Sequence, residues 1–135
     1  MIRLVGFEDI ERLKVEAFRH PAKRARIILH TPFDRVTEMV IALHKSSYIR
    51  PHRHPKPESY HVISGNLRVH LFSDIGRKES ELELWDETPI CRISELTYHQ
   101  PEAISDWCIY HEVYPGPFNK QRDVEYALWA EQEAA

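Results

Sequence analysis

The chain has 135 residues, a formal net charge of -3 and 42% hydrophobic residues, which predicts one soluble domain over residues 1–135. A mildly acidic chain lacks the basic stripe that nucleic-acid binding requires, so nucleic acid is not an expected partner. Membrane contact is not expected either, because no apolar run approaches the roughly 18 residues of a spanning helix. The acidic N-terminal stretch is unlike a secretory signal, so we expect a cytoplasmic protein.

The predicted elements begin with a helix. Apolar residues recur with a helical period over residues 7–19, and Pro21 ends that pattern. Short β-branched or alternating runs then continue to about residue 118 and predict strands. These runs cover residues 26–30, 38–44, 48–54, 60–63, 67–72, 82–84, 89–93 and 107–113. Ser64-Gly65-Asn66 predicts a hairpin turn, and Asp74-Ile75-Gly76-Arg77 predicts a second turn.

Many short strands separated by turns predict an all-β sandwich or barrel over residues 24–118. The tail, residues 119–135, is predicted to contain a short C-terminal helix over residues 121–133. Cys91 and Cys108 are too few for a disulfide framework, so we expect them to be reduced core thiols.

The 9 histidines of the chain suggest a metal site. His52 and His54 are two residues apart, and on a strand such side chains point to the same face. Glu58 follows a proline-stiffened turn and can return a carboxylate to the same point. Two histidines and one carboxylate form a facial triad, which leaves coordination positions open for water or substrate. The alternative is two exposed histidines in a proline-rich loop.

These residues resemble the first motif of the cupin superfamily, G-x5-HxH-x3,4-E-x6-G. His52, His54, Glu58 and Gly65 stand at the same spacings, and Ser46 stands in place of the first glycine. The resemblance implies a cupin fold, which is a jelly-roll β-barrel or double-stranded β-helix. It also implies one divalent transition-metal ion, and Fe, Zn, Mn and Ni all suit imidazole and carboxylate ligands.

Residues 93–99, Ile-Ser-Glu-Leu-Thr-Tyr-His, resemble the second cupin motif in part. The Ile, the Thr and the final His are kept, whereas Ser94 and Leu96 replace the usual proline and glycine. The resemblance implies that His99 is a fourth metal ligand. Since cupins commonly form homodimers, it also implies a dimer, for which the apolar N-terminal segment is the expected contact.

A closer resemblance is to the WbuC-type cupin metalloproteins, over roughly residues 20–118. Lys23-Arg24-Ala25-Arg26, His30, the run Ser47–His54 and Glu112-Val113-Tyr114-Pro115-Gly116-Pro117-Phe118 match the pattern of that family. Members are often encoded among surface-polysaccharide genes. The resemblance therefore implies a sugar-like or anionic small-molecule ligand.

The remaining candidates are basic or proton-transfer residues. Arg24, Arg26 and Arg50 are expected to bind anionic groups of the substrate, and the alternative is that the bases lie on a solvated outer face. His30 is expected to line the metal cavity, although an interior histidine held by a hydrogen bond fits as well. Tyr48 shares the parity of His52 and is a further catalytic candidate, whereas His61 has the parity opposite to Glu58.

Glu112 completes the catalytic candidates. It alternates with His111 on one strand, so at most one of the two faces the cavity.

Three functions fit these residues. The first is a metal-dependent isomerase or epimerase that acts on a sugar or nucleotide-sugar in surface-polysaccharide biosynthesis. The second is an iron-dependent dioxygenase, since a facial triad leaves room for oxygen. The third is a non-catalytic cupin that binds a small molecule.

Overall fold

Strands dominate the structure, a computed structural model that describes residues 1–133. The helix α1 (Phe7–Arg19) comes first. The strands that follow are β1 (Arg24–Ile28), β2 (Val36–His44), β3 (His52–Arg53), β4 (Glu58–Ser64), β5 (Leu67–Phe72), β6 (Lys78–Leu84), β7 (Ile90–Ile93), β8 (Tyr98–Ala103) and β9 (Trp107–Pro115). A second helix, α2 (Lys120–Asp123), and the strand β10 (Glu125–Tyr126) complete the described chain.

The helix α1 has the bounds that the periodicity predicts. Its first turn is closed by Asp9, whose Oδ2 accepts the Gly6 N–H at 2.7 Å, and an acidic group at this end also favours the helix dipole. Leu13 and Ala17 are buried on its apolar side. They pack against Val40, Ala42 and Ile109 of the neighbouring sheet. The apolar stripe therefore fixes the helix on the outside of the strands.

The strands form two antiparallel sheets of five strands each. The first sheet has the order β1-β2-β9-β4-β7, and the second has the order β10-β3-β8-β5-β6. The core between them includes Leu43, Tyr60, Val62, Leu67 and Val69. The all-β prediction is confirmed in the form of two packed sheets. Among the described residues, the hydrogen-bond ladders do not join into one closed barrel.

The turn at Ser64-Gly65-Asn66 differs from the predicted hairpin. Gly65 has a φ of +83°, and a Cβ there would collide with the Trp107 carbonyl oxygen, so the position requires glycine. However, β4 pairs with β7 and β9, whereas β5 pairs with β6 and β8. The turn therefore carries the chain from one sheet to the other. The predicted turn at residues 74–77 does join paired strands, and there the Ser73 N–H donates to the Arg77 carbonyl at 2.9 Å.

One strand was predicted too long, and another strand was not predicted. The run 48–54 forms a strand only at His52–Arg53, because Pro51 and Pro55 on either side lack N–H donors. The strand Tyr98–Ala103 was missed, although it lies centrally in the second sheet between β3 and β5. Pro101 interrupts its sequence pattern, and tertiary pairing with β5 overrides that signal.

The predicted terminal helix over residues 121–133 is also wrong. Only Lys120–Asp123 is helical, and β10 then pairs with β3, with Tyr126 opposite His52. Leu128, expected on the apolar side of that helix, is 92% exposed. The tail instead covers the edge of the second sheet, where the unpaired backbone groups of β3 need partners. Residues 134 and 135 of the predicted domain and tail lie outside the described residues.

Both cysteines lie in the core region as expected, with Cys108 buried and Cys91 partly buried. None of the helices in residues 1–133 has the length and apolar character needed to cross a membrane.

Candidate metal centre

Four side chains from both sheets converge on one point. His52 on β3 and His99 on β8 are direct register partners in the second sheet. His54 follows two residues after His52, and Glu58 is the first residue of β4 in the first sheet. One nitrogen or oxygen from each of the four lies within 4.8 Å of the others. We call His52, His54, Glu58 and His99 the histidine cluster.

The backbone orients every histidine of this cluster in the same way. The Nδ1 atoms of His52, His54 and His99 lie 2.9, 2.7 and 2.8 Å from the carbonyl oxygens of Arg50, Asp123 and Thr97, respectively. A carbonyl oxygen can only accept, so each Nδ1 carries the proton and each Nε2 keeps its lone pair. This is the arrangement in which a protein presents Nε2 to a metal ion.

The inward atoms of the cluster lack hydrogen-bond partners. The Nε2 atoms of His54 and His99 and the Oε1 of Glu58 are buried and unpaired among the described residues. The Glu58 oxygens lie 2.5 Å from His99 Nε2 and 3.2 Å from His54 Nε2. Buried acceptors left unpaired are unfavourable, and a cation shared among them would satisfy all of them. Three neutral imidazoles and one carboxylate therefore fit a divalent transition-metal ion.

Access to the cluster is uneven. His54, Glu58 and His99 are 8%, 4% and 1% exposed, whereas His52 is only partly buried. The least buried member of the cluster is therefore His52, next to its register partner Tyr126 on β10.

The neighbouring histidines favour an ionised Glu58 carboxylate. Burial raises the pKa of Glu58, but the close approach of His99 and His54 outweighs burial and holds its pKa below the usual range. Burial, helped by the nearby charge of His99, lowers the pKa of His52 to about 3. Burial also lowers the pKa of His54, although the Glu58 carboxylate outweighs it and the net shift is upward. Protons and a metal ion would compete for these atoms.

Glu112 lies on the same face of the first sheet as Glu58. It is the register partner of Tyr60, which is two residues after Glu58 on β4. Burial and then the negative charge of Glu58 raise the pKa of Glu112 to about 8. His111 occupies the other face, with its Nε2 3.5 Å from Glu38 Oε1. Only Glu112 of this pair is therefore placed on the side of the cluster.

The predicted substrate-binding residues Arg24 and Arg50 contact the C-terminal segment. Arg24 Nη2 donates to Glu133 Oε2 at 2.7 Å. Both Nε and Nη2 of Arg50 donate to the Ala127 carbonyl, at 3.1 and 2.7 Å. The catalytic candidate Tyr48 also contacts this segment, since its hydroxyl donates to the Glu131 carbonyl at 2.9 Å. In this structure all three side chains hold the tail, and their predicted roles toward a substrate stay predictions.

Arg24 and Arg26 lie on the face of β1 that is directed to the core. Their register partners are Leu43 and Ile41, which belong to or pack against that core. Arg26 is exposed, although its positive charge acts on the partly buried Glu112 carboxyl. Arg24 is partly buried beside the tail and Arg26 is exposed to solvent, so the two predictions for these arginines stay predictions.

His30 lies outside the histidine cluster. The Glu38 N–H donates to its Nδ1 at 2.9 Å, so it is a partly buried histidine held by a hydrogen bond. It borders a groove of about 360 Å³ at the edge of the first sheet, beside Asp34 and Arg35. The strand β1 is three neighbours away from β4, or about 14 Å along the sheet at the usual strand spacing. A catalytic role for His30 stays a prediction, whereas His61 is exposed as its parity predicts.

Sequence reasoning missed Asp123, which helps to position His54. Its carboxylate is fully buried and accepts from the Asn119 N–H at 2.7 Å and from Arg122 Nη2 at 2.9 Å. These contacts fix the short α2 turn, whose carbonyl at Asp123 receives the His54 Nδ1–H. Asn119, which caps this turn, was the only local signal in the sequence.

Sequence comparison places the chain in a family. The family described as a domain of unknown function, DUF6016, matches residues 6–84, which is more than half of the 135 residues. The chain belongs to the DUF6016 family. No curated protein matches the chain.

Solved structures similar to this DUF6016 chain include cupins. A cupin superfamily protein from Desulfitobacterium hafniense has 9% identity and a TM-score of 0.57, over 68% of this chain and 76% of that one. An oxalate decarboxylase from Lactobacillus farciminis, in a formate complex, has 15% identity and a TM-score of 0.61, over 80% of this chain and 32% of that one. The Bacillus subtilis oxalate decarboxylase, described with Mn(II) centres, has 17% identity and a TM-score of 0.54, over 64% of this chain and 23% of that one.

These similarities show the fold. The predicted fold is confirmed as two antiparallel sheets with an N-terminal helix, similar to the fold of solved cupins, and the closed barrel is not confirmed. The chain spans about a third or less of the length of the two decarboxylases.

Proposed function

We propose that this chain is a metal-dependent cupin enzyme that moves a proton on a small polar molecule, as an isomerase or epimerase does. The observation that carries the proposal is the histidine cluster, where each Nδ1 is held by a backbone carbonyl. The inward atoms of His54, His99 and Glu58 are buried without partners. A protein core does not keep such atoms unsatisfied without a use for them.

One divalent transition-metal ion, Fe, Zn, Mn or Ni, would be held by His52, His54, Glu58 and His99. When bound, it supplies a Lewis acid that polarises an oxygen of the bound molecule. The partly buried His52 leaves the approach to that molecule on its own side of the cluster.

Glu112 is the proton-transfer group of the proposal. Its position opposite Tyr60 places it on the face of the sheet that carries Glu58. Burial and the Glu58 charge raise its pKa to about 8, close enough to neutral pH for the group to accept and return a proton. Removal and return of one proton is a balanced isomerisation that needs no further reactant. Tyr48 and His30 are the other catalytic candidates. The Tyr48 hydroxyl and the His30 ring each form a hydrogen bond with a backbone group.

The finer proposal concerns the substrate. The resemblance to WbuC-type cupins supports a sugar or nucleotide-sugar in surface-polysaccharide biosynthesis. Arg26 supports an anionic group, because it is an exposed basic residue whose positive charge also acts on Glu112. We also propose a cytoplasmic location and a homodimer in which the exposed residues Met1, Ile2, Leu4 and Phe7 take part.

Proton transfer is tested by solvent exchange. Protein purified without a metal-affinity column and loaded with one metal at a time is incubated with nucleotide-sugars in D2O, and NMR follows deuterium incorporation at carbon. We expect incorporation with the unmodified protein and a loss of at least about 100-fold in Glu112→Gln, as for removal of a general acid or base. Oxygen uptake with iron would favour the dioxygenase, and tight retention of an unchanged sugar would favour the non-catalytic binder.

Elemental analysis of the same samples separates metal binding from catalysis. His52→Ala and the exposed His61→Ala remove the same side-chain type, and only the first should lose the metal. A protein that retains metal but shows no exchange with any sugar contradicts the enzymatic part of the proposal.

A further inference from the structure

The carboxylate of Glu133 is held by two donors at once. Its Oε1 accepts the Arg50 backbone N–H at 2.8 Å, and its Oε2 accepts from Arg24 Nη2 at 2.7 Å. Each oxygen of one planar group thus has its own donor, one of them charged. We call Arg24, Arg50 and Glu133 the terminal clamp.

The donors of the clamp are fixed by contacts that do not involve Glu133. Arg24 Nη1 donates to the Tyr48 carbonyl at 3.0 Å and to Ser47 Oγ at 3.3 Å. The Ser47 hydroxyl is itself held, because it donates to the Ala22 carbonyl at 2.6 Å. The guanidinium therefore keeps its orientation if the carboxylate leaves. Two oriented donors spaced for two oxygens form a site for a carboxylate.

The clamp lies beside the histidine cluster along the chain. Arg50 supplies its N–H to Glu133 and its carbonyl to His52 Nδ1. One residue, Pro51, separates Arg50 from His52, which is about 7 Å between their Cα atoms in an extended chain. A ligand in the clamp would therefore lie near His52, the least buried member of the cluster.

The last described residues can leave without unfolding the tail. Trp129 anchors the segment, with its ring centroid 5.0 Å from that of Phe72 and 5.6 Å from that of Tyr98. Among the described residues beyond Trp129, the hydrogen bonds that involve side chains are those of Glu133 with the clamp and of Tyr48 with the Glu131 carbonyl. The Arg24–Glu133 pair is 27% and 29% exposed, so water can replace it at little cost.

We propose that Arg24 and the Arg50 N–H form a carboxylate-binding site in which Glu133 is a displaceable internal ligand. A small molecule bearing a carboxylate takes the place of Glu133 when residues 131–133 move away. The inference rests on the proposed function only in assigning this carboxylate to the substrate, because the site itself needs no metal.

Acetate is the probe, and the Arg50 backbone amide is the reporter. The full chain and the variant Glu133→Ala, both treated with EDTA, are titrated with sodium acetate at constant ionic strength, and the Arg50 amide is followed by 1H–15N NMR. We expect a saturable shift in Glu133→Ala with an apparent affinity at least about tenfold tighter than in the unmodified chain, where Glu133 competes at high effective concentration.

Glu131→Ala is the matched control, since it removes one carboxylate from the same segment but leaves the clamp intact. It should bind acetate like the unmodified chain. Arg24→Ala combined with Glu133→Ala should abolish the saturable shift. Equal affinities in Glu133→Ala and Glu131→Ala, or a shift that survives loss of Arg24, would overturn the proposal. Inorganic phosphate that binds Glu133→Ala more tightly than acetate would overturn the assignment to a carboxylate.

Metal binding is measured on the same samples by adding zinc. An intact acetate response without zinc binding would contradict the proposed function and leave the clamp standing. Zinc binding without any acetate response would contradict the carboxylate site and leave the proposed function standing.

Discussion

The histidine cluster and the terminal clamp are joined through Arg50, yet their polar atoms are satisfied in opposite ways. In the cluster, backbone carbonyls hold the three rings and the inward atoms of His54, His99 and Glu58 lack partners. In the clamp, the donors of Arg24 and Arg50 are already paired with Glu133. The unpaired atoms of the cluster are compatible with a cation, whereas the clamp already holds an anionic group of its own chain.

Removing one ring from the cluster should have the largest effect. We expect His52→Ala and His54→Ala each to weaken metal binding by more than about 100-fold, since even a partner that only orients a ligand accounts for roughly 10–100-fold. Glu58→Gln should do less, because an amide oxygen still coordinates weakly. Competition with a chelator of known affinity measures the loss, with His61→Ala as control. A control as damaging as His52→Ala would contradict the strand parity that separates the two residues.

Loosening the support of one ring should have the next largest effect. Asp123→Asn weakens the contacts that fix α2 and so the carbonyl that receives the His54 Nδ1–H. We expect metal affinity to fall by about tenfold. The absorption spectrum of the cobalt-loaded protein should change as well, which simple loss of stability would not cause. Glu125→Gln, at an exposed neighbour in the same tail, should alter neither quantity.

Glu112 should make the metal-free protein sensitive to pH. Its folded pKa of about 8 lies above the ordinary 4.5, so the folded state binds a proton that the unfolded state loses first. The contribution of Glu112 to the free energy of unfolding is fully present below about pH 4.5 and is lost as the pH rises through 8. Urea unfolding in EDTA should show Glu112→Gln gaining about 1 kcal/mol or more relative to the unmodified chain from pH 5 to pH 8. A difference that stays constant over this range would contradict the burial of an acidic Glu112.

Opening the clamp should have the smallest effect on folding. The partly exposed Arg24–Glu133 pair predicts a change of at most about 1 kcal/mol in the free energy of unfolding of Glu133→Ala. Urea unfolding measures it, with Glu131→Ala expected to be neutral. A loss of several kcal/mol would mean that residues 131–133 are part of the core and cannot be displaced.

Three of the four residues of the cluster could be predicted from the sequence because their spacing is local. His52 and His54 share a strand face by parity, and Glu58 follows across one turn. His99 came from the resemblance to the cupin motif alone, since its strand was missed, and the structure places it opposite His52. The helix α1 was predicted with its bounds because an apolar period ends at a proline.

The partners of the clamp could not be predicted in this way. Arg24 and Glu133 are 109 residues apart, and no local pattern links them. The tail was expected to be a helix, whereas its backbone pairs with β3 because that edge strand needs hydrogen-bond partners. Asp123 was missed for the same reason, because its role depends on the fold that brings α2 to His54.

Anomalous scattering from a crystal grown with one added metal tests the histidine cluster most directly. The geometry predicts one anomalous peak per chain. The metal ion at that peak should be bound by the Nε2 atoms of His52, His54 and His99 and by the Glu58 carboxylate, and the Nδ1 contacts to the three carbonyls should be unchanged. Absence of a peak at these four side chains after loading with Fe, Zn, Mn and Ni in turn would contradict it, as would a metal bound through Nδ1 or at another cluster.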